Sequence, residues 1–168
     1  MKMGIVWEEN NRVLFPVVQE AECVGKEMGM QVELLPLKPK EGKLYEKLKK
    51  LDAEYLLTFD MAGFENDTYL EVPMYNLLYA KQIHILFNNN SKYQKYLYKN
   101  LGLNLFLFMS NARLLLRYRE KYPHLLNLEE MPELETGINL SEELKARNRE
   151  ILKVIMERVR FEAETAGH

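Results

Sequence analysis

The chain reads YLLTFDMAG over residues 55–63, a run of strand-forming residues that stops at Asp60. Apolar residues are nearly continuous in this run instead of alternating with polar ones, which predicts a strand buried on both faces. Further runs of strand-forming residues occur along the chain, at residues 3–7 (MGIVW), 31–35 (QVELL), 83–87 (IHILF) and 103–109 (LNLFLFM). Buried strands of this kind are typical of a parallel sheet that is covered by helices on both sides.

The segments between the strands have the spacing of amphipathic helices. Apolar residues recur every three or four positions over about residues 14–28, and Gly29 follows where a helix would end. The second strand is expected to end at Pro36, and Ser110 or Asn111 is expected to cap a later helix. The remaining helices are predicted at about residues 41–51, 75–80, 92–100, 112–122 and 141–163.

These patterns predict an α/β fold with one doubly wound, mostly parallel sheet of five or six strands, either Rossmann-like or flavodoxin-like. Residues 125–128 would supply the sixth strand. No repeat, low-complexity tract or linker divides the sequence, so residues 1–168 are interpreted as one domain. Within it we expect a core over residues 1–130, a surface connection over 131–140 and a long C-terminal helix over 141–164.

Composition narrows the class of protein. A hydrophobic content of 47% and a charged content of 29% favour a globular domain over a disordered or membrane-spanning chain. No apolar run approaches the ~20 residues that cross a bilayer, and the first residues lack the pattern of a signal peptide. We therefore expect a cytoplasmic protein without membrane contact. Cys23 is the only cysteine, which excludes an intrachain disulfide; we expect its thiol to be buried and inert.

In a doubly wound sheet, ligands bind beyond the carboxyl ends of the strands, where loops and helix N-termini converge. The sequence lacks both the GxGxxG dinucleotide pattern and the GxxxxGK(S/T) phosphate loop, so we expect no NAD, no ATP and no other cofactor. The expected ligand at this edge is an anionic small molecule or a protein partner, bound without autonomous catalysis. The expected binding residues follow the strands or begin the next helix, and they are Glu8, Glu9, Asp60, Gly63, Asn88, Asn89, Lys92, Ser110, Asn111 and Arg113.

Asp60 has two interpretations. With Glu8 and Glu9 it resembles the phospho-acceptor site of response-regulator receivers, where two acids hold Mg²⁺ and an aspartate after the third strand takes the phosphoryl group. This resemblance covers about residues 1–110 at the level of topology. It lacks the receiver's lysine after the fifth strand, where the sequence reads FMSNARLL, so no obvious cation would pair with the phosphoryl charge. Alternatively, Asp60 closes its strand by hydrogen bonding to its own loop.

The histidines do not predict a metal site. His84 lies inside a predicted strand, where a hydrogen-bonded core histidine is expected, and His124 follows a proline at a predicted helix end. Neither has acidic neighbours at the spacing of metal ligands. We therefore expect no bound metal.

A second resemblance is broader. The segments GMQVELL, LLTFD, KQIHILFNN and LFLFMSNARLLLRYREKYPHLLNL resemble the N-terminal Rossmann half of two-domain glycosyltransferases of the GT-B type, over about residues 1–130. The resemblance implies a nucleotide sugar as ligand. The half that holds the nucleotide-sugar diphosphate in that family is not present in these 168 residues. A second polypeptide or an oligomer would therefore have to complete such an enzyme.

Charge is distributed unevenly along the chain. Residues 52–71 carry acidic side chains and no lysine or arginine, whereas residues 92–121 are basic apart from one glutamate. Arg113, Arg117 and Lys121 form an i, i+4, i+8 stripe that could attract phosphates. The net charge of −2 nevertheless argues against nucleic acid as a partner. The unlike patches could instead serve a protein partner or a homo-oligomer.

Overall fold

The structure, a computed structural model, describes residues 1–38, 42–63, 68–69, 72–87 and 104–166. Its strands are β1 (Lys2–Glu8), β2 (Gln31–Leu37), β3 (Tyr55–Phe59), β4 (Thr68–Tyr69), β5 (Val72–Pro73), β6 (Lys81–Leu86), β7 (Leu105–Met109) and β8 (Leu128–Glu130). Its helices are α1 (Phe15–Glu27), α2 (Leu44–Leu51), α3 (Ala112–Lys121) and α4 (Glu142–Ala166).

Six of the strands form one sheet in the order β2-β1-β3-β6-β7-β8, and all of its neighbouring pairs are parallel. The short strands β4 and β5 pair with each other in a separate antiparallel hairpin. Without the hairpin, the sheet order is 2-1-3-4-5-6, which begins with the 2-1-3-4-5 order of flavodoxin-like folds. The predicted α/β fold, with its parallel sheet and long C-terminal helix, is confirmed.

Helices cover both faces of the sheet, as the apolar strands require. On one face, α1 and α4 pack over a core that includes Val17, Val24, Leu152 and Ile155. On the other face, α2 and α3 pack over a second core whose members include Leu44, Leu48, Leu114, Leu115 and Tyr118. The sheet therefore lies between two separate apolar layers. A binding site is expected outside these layers, at the carboxyl ends of the strands.

Several predicted boundaries are confirmed and others differ. The strand Tyr55–Phe59 is where the sequence placed it, and Gly29 follows the end of α1 with a φ of +83° that favours glycine. β2, by contrast, continues through Pro36, because an edge strand tolerates a residue without an N–H. The sixth strand lies at Leu128–Glu130 instead of 125–128. The helix predicted at 75–80 is a 3₁₀ turn at Met74–Leu77, and the helix predicted at 92–100 lies outside the described residues.

The segment expected to be a surface connection is anchored in the core. Met131 and Leu134 are buried with the α1 and α4 layer. The side chain of Asn148 on α4 is fully buried, accepts from Glu135 N–H at 2.9 Å and donates to Glu135 C=O at 2.9 Å. A single amide side chain thus satisfies both backbone groups of one residue, which fixes this segment on the helix.

The prediction that Cys23 is buried is wrong, because this residue is exposed. The next residue on α1, Val24, is fully buried. Successive helical residues are about 100° apart around the axis, so Cys23 lies on the solvent side. Among the described residues, no helix combines the length and apolar character needed to cross a membrane.

Candidate functional site

The strand order reverses between β1 and β3, so the loops after these strands lie at the usual ligand position of this topology. Glu8 and Glu9 follow β1 and are both exposed. The backbone N–H of Glu9 donates to Leu37 C=O at 2.9 Å, which ties the start of this loop to the end of β2. Glu8 and Glu9 therefore lie at the predicted binding edge of the sheet, and both are accessible to solvent.

A tight turn ends β3. Asp60 and Met61 have φ values of +51° and +53°, and Ala62 N–H donates to Phe59 C=O at 3.1 Å. Two successive positive φ angles under such a hydrogen bond are characteristic of a type I′ turn. Aspartate tolerates this conformation better than most residues, whereas the buried Met61 is held in it by its packing.

Asp60 connects β3 to the neighbouring strand. Its N–H donates to Ile85 C=O at 2.8 Å, and its Oδ1 atom accepts from Phe87 N–H at 2.7 Å. The carboxylate thus has a structural partner 27 positions away in the sequence. Among the described residues, no group of three His, Cys, Asp or Glu side chains could hold a metal ion. Glu8, Glu9 and Asp60 therefore do not form the three-carboxylate group that the receiver resemblance implied.

Gly63 has a packing role in the same turn. Its φ is +85°, and a Cβ atom at this position would overlap the side chain of Leu44 on α2. The same Cβ would lie 3.2 Å from the hydroxyl of Tyr75. Gly63 therefore allows α2 and the 3₁₀ turn to approach the end of β3, and this close packing accounts for the glycine.

A buried polar network lies directly behind this turn. Thr58 and His84 are register partners on β3 and β6, and the Thr58 hydroxyl hydrogen bonds to His84 Nδ1. His84 Nε2 lies 3.2 Å from Gln82 Oε1, and Gln82 Nε2 donates to Tyr75 C=O at 2.6 Å. The Tyr75 hydroxyl in turn donates to Ala62 C=O at 2.7 Å. The network therefore runs from the sheet to the turn after β3.

The partners of His84 define its protonation state. Because the Gln82 amide nitrogen donates to a carbonyl, its oxygen faces the imidazole and accepts, so Nε2 carries the proton. Nδ1 then accepts from the Thr58 hydroxyl, so both ring nitrogens of the neutral imidazole are hydrogen bonded. Burial lowers the pKa of His84 from 6.5 to about 3. His84 is the hydrogen-bonded core histidine that the sequence predicted, neutral and remote from solvent.

A cleft of about 340 Å³ opens at the carboxyl ends of β6 and β7. Its floor is apolar, formed by Leu86, Phe87, Met109 and Leu114. Its polar lining comes from the end of β7 and the first two turns of α3, and consists of Ser110, Asn111, Arg113 and Arg117. Three of the predicted binding residues thus line the cleft, whereas Asp60 does not line it and accepts a hydrogen bond from the lining residue Phe87.

The first turn of α3 faces this cleft. Asn111 is the N-cap, and its side chain accepts from Leu114 N–H at 3.1 Å. The first intrahelical bond is from Leu115 N–H to Asn111 C=O, so the amides of Ala112 and Arg113 lie before the helical ladder. Such amides, with the helix dipole, favour an anion. Asn111 itself is held mainly as a structural cap.

The cations of the cleft are exposed and are not neutralised locally. Arg113 and Arg117 lie one helical turn apart on α3, and neither pairs with a carboxylate among the described residues. Arg119, on another side of the helix, instead donates to Leu128 C=O at 3.1 Å. The sequence analysis placed Arg117 with Arg113 in a stripe that could attract phosphates, but did not include it among the binding residues at the end of the strands.

The remaining predicted binding residues, Asn88, Asn89 and Lys92, lie outside the described residues. In the sequence they follow β6 and Phe87. Their part in the site stays a prediction.

Comparison with known proteins gives likenesses of structure only. No protein-family model and no curated protein matches the chain. Among solved structures, the flavodoxin-like domain of a Synechococcus sp. protein is similar with a TM-score of 0.48 and 8% identity, over 94% of this chain and 98% of that one. A flavone reductase is similar with a TM-score of 0.46 and 14% identity, over 95% of this chain and 63% of the reductase. The fold assignment rests on strand order, and neither likeness bears on the glycosyltransferase resemblance, which stays a prediction.

Proposed function

We propose that the protein binds a small anionic molecule, carrying a phosphate or carboxylate group, in the cleft between β6, β7 and α3. The observation that carries the proposal is the pairing of two exposed arginines, Arg113 and Arg117, with the open amides at the start of α3. Both features favour negative charge at the same mouth. The apolar floor behind them would accept an uncharged part of the ligand.

The size of the cleft favours a small ligand. A volume of about 340 Å³ is near the lower end of the roughly 300–1,000 Å³ range of small-molecule sites. A guanidinium group presents a planar fork of donors that matches the oxygens of a phosphate or carboxylate. Arg113 and Arg117 would bind the anionic group between them, and the Ser110 hydroxyl would add an uncharged donor.

The lining groups support a binding role without autonomous catalysis. At neutral pH, guanidinium groups and backbone amides bind an anion but do not accept a proton from it. His84, the histidine of β6, is fully buried with both ring nitrogens engaged. We therefore propose that the cleft holds and orients its ligand, and that any reaction would use groups from another molecule.

A thermal-shift screen tests this proposal. The panel contains inorganic phosphate, pyrophosphate, nucleotides, nucleotide sugars, sugar phosphates and small mono- and dicarboxylates, because a ligand that binds only the folded protein raises its melting temperature. Arg113→Gln with Arg117→Gln should abolish the shift, whereas Lys153→Gln, which removes an exposed cation from α4, should leave it unchanged. An equal shift in both variants would refute the site, and no shift with any compound would refute the proposed function. A nucleotide sugar among the hits would favour the glycosyltransferase-like alternative.

A further inference from the structure

A second concave surface lies beside β2, at one end of the sheet. Two strands, β1 and β3, separate it from β6 and β7 of the proposed anion site. The groove between β2 and α2 has a volume of about 650 Å³. Its apolar lining includes Leu35, Leu37, Leu44 and Leu51, contributed by both elements. Leucine side chains from a strand and a helix thus line a groove that opens at the side of the sheet.

Lysines dominate the charge of this groove. The exposed Lys2 and Lys50 line the groove against the single carboxylate of Glu33. Lys38 and Lys47 also line it, and both already take part in other interactions. The groove is therefore positive although the whole chain carries a net charge of −2. This local excess selects for an acidic occupant.

The groove runs along a strand with an open edge. β2 is the terminal strand of the six-stranded sheet, and β1 is its neighbour on the inner side. Gln31 N–H donates to Met1 C=O, and Leu37 C=O accepts from Glu9 N–H. Odd-numbered residues of β2 therefore direct their backbone groups towards β1. Because this direction alternates along a strand, Val32, Leu34 and Pro36 direct theirs outward.

We propose that this edge binds an extended peptide segment of a partner protein, with apolar side chains interspersed with acidic ones, as an additional strand beside β2. The outward N–H and C=O groups of Val32 and Leu34 supply the backbone pairing. Every second side chain of the segment faces the groove, and along this face apolar side chains lie over the leucines while acidic ones meet the lysines. This interaction is independent of the anion-binding cleft.

Pro36 sets a limit on the pairing. Proline has no N–H, so Leu34 is the last residue of β2 that can donate a backbone hydrogen bond outward. The C=O of Pro36 can still accept one. Proline and lysine at an edge strand also hinder uncontrolled sheet association. The lysines would repel a second copy of the same groove, which favours an acidic peptide over edge-to-edge pairing of two β2 strands.

The test uses two synthetic heptapeptides whose positions 2, 4 and 6, which share one face of a strand, are valine, glutamate and valine in one peptide and valine, lysine and valine in the other, with threonine elsewhere. Each is titrated into the ¹⁵N-labelled full chain and followed by NMR. The glutamate peptide should give saturable shifts at the Val32 and Leu34 amides, and the lysine peptide should not. No saturable shift at these amides, or equal binding of both peptides, would overturn the proposal.

Two matched variants test the charge requirement. Lys50→Glu should weaken binding of the glutamate peptide roughly fivefold, as expected for an exposed charge pair that is lost. Lys153→Glu makes the same charge change on α4 and should leave the affinity unchanged. Equal affinities of the two variants would contradict the proposed role of the groove lysines.

A third variant tests the backbone pairing. Leu34→Pro removes an outward N–H without removing a hydrogen bond between β1 and β2, and it should abolish peptide binding. Circular dichroism verifies that this variant folds. If it does not fold, the two charge variants still decide the question, and if it folds and binds as well as the wild type, strand addition is refuted.

Discussion

Replacing His84 should change the way in which the stability of the protein depends on pH. The imidazole is fully buried, and burial lowers its pKa from 6.5 to about 3. Between these two values the unfolded chain binds a proton that the folded protein does not. Acidification therefore favours the unfolded state, and stability is lost as the pH falls below about 6.5.

The size of this effect follows from the difference in proton binding. Each pH unit within the window costs about 1.4 kcal/mol when one extra proton is bound on unfolding. Allowing for partial protonation of the unfolded chain near its pKa, His84 should account for a loss of about 2 kcal/mol between pH 7 and pH 5. Carboxylates contribute separately, so the contribution of His84 must be isolated by comparing variants.

Urea unfolding of the wild type and of His84→Gln at pH 7 and pH 5 measures this contribution. The variant should be less stable at pH 7, because glutamine cannot reproduce both contacts to Thr58 and Gln82. Its loss of stability from pH 7 to pH 5 should be smaller than that of the wild type by about 2 kcal/mol. An unchanged pH dependence in His84→Gln would refute the argument.

Substitutions at three positions test the structural roles assigned to single residues, all by urea unfolding. Asp60→Ala should cost about 1–3 kcal/mol by leaving the Phe87 N–H without its acceptor, and Asp60→Asn, which keeps the Oδ1 acceptor, should cost clearly less; equal losses would refute the Phe87 contact. Asn148→Ala removes both hydrogen bonds to Glu135 and should cost about 2–4 kcal/mol, so a loss below 1 kcal/mol would contradict the anchoring role. Gly63→Ala combines positive φ with overlap and should be among the more destabilising changes, at least about 2 kcal/mol; a neutral result would contradict the close packing.

The fold class could be predicted because it depends on local patterns. The bounds of β3 were correct because a run of five buried residues between turn-forming residues leaves little freedom. Gly29 and Asn111 were identified as helix ends because capping depends on the residue and its immediate neighbours. The strand order was beyond sequence reasoning, since it depends on how the helices pack on both faces of the sheet.

The parts of the site that could not be predicted depend on distant partners. The location of Asp60 at the end of a strand was clear, but its acceptor role towards Phe87 arises only when β3 and β6 pair. Likewise, Glu20 on α1 is nearly buried because Arg149 on α4, 129 positions later, donates to it at 2.7 Å. The spacing of apolar residues within one segment does not predict a contact between residues so far apart in the sequence. Arg117 was missed for another reason, since its spacing from Arg113 was noted but not connected with the cleft.

The most direct test of the proposed function is an NMR titration of the ¹⁵N-labelled protein with inorganic pyrophosphate at low ionic strength. The amides of Ala112 and Arg113 precede the helical ladder of α3 and should shift saturably, together with the Arg113 and Arg117 side-chain signals. In Arg113→Gln with Arg117→Gln the amide shifts should be lost, and in Lys153→Gln they should persist. Saturable shifts elsewhere, with the start of α3 unchanged, or shifts that survive loss of both arginines, would contradict an anion site in this cleft.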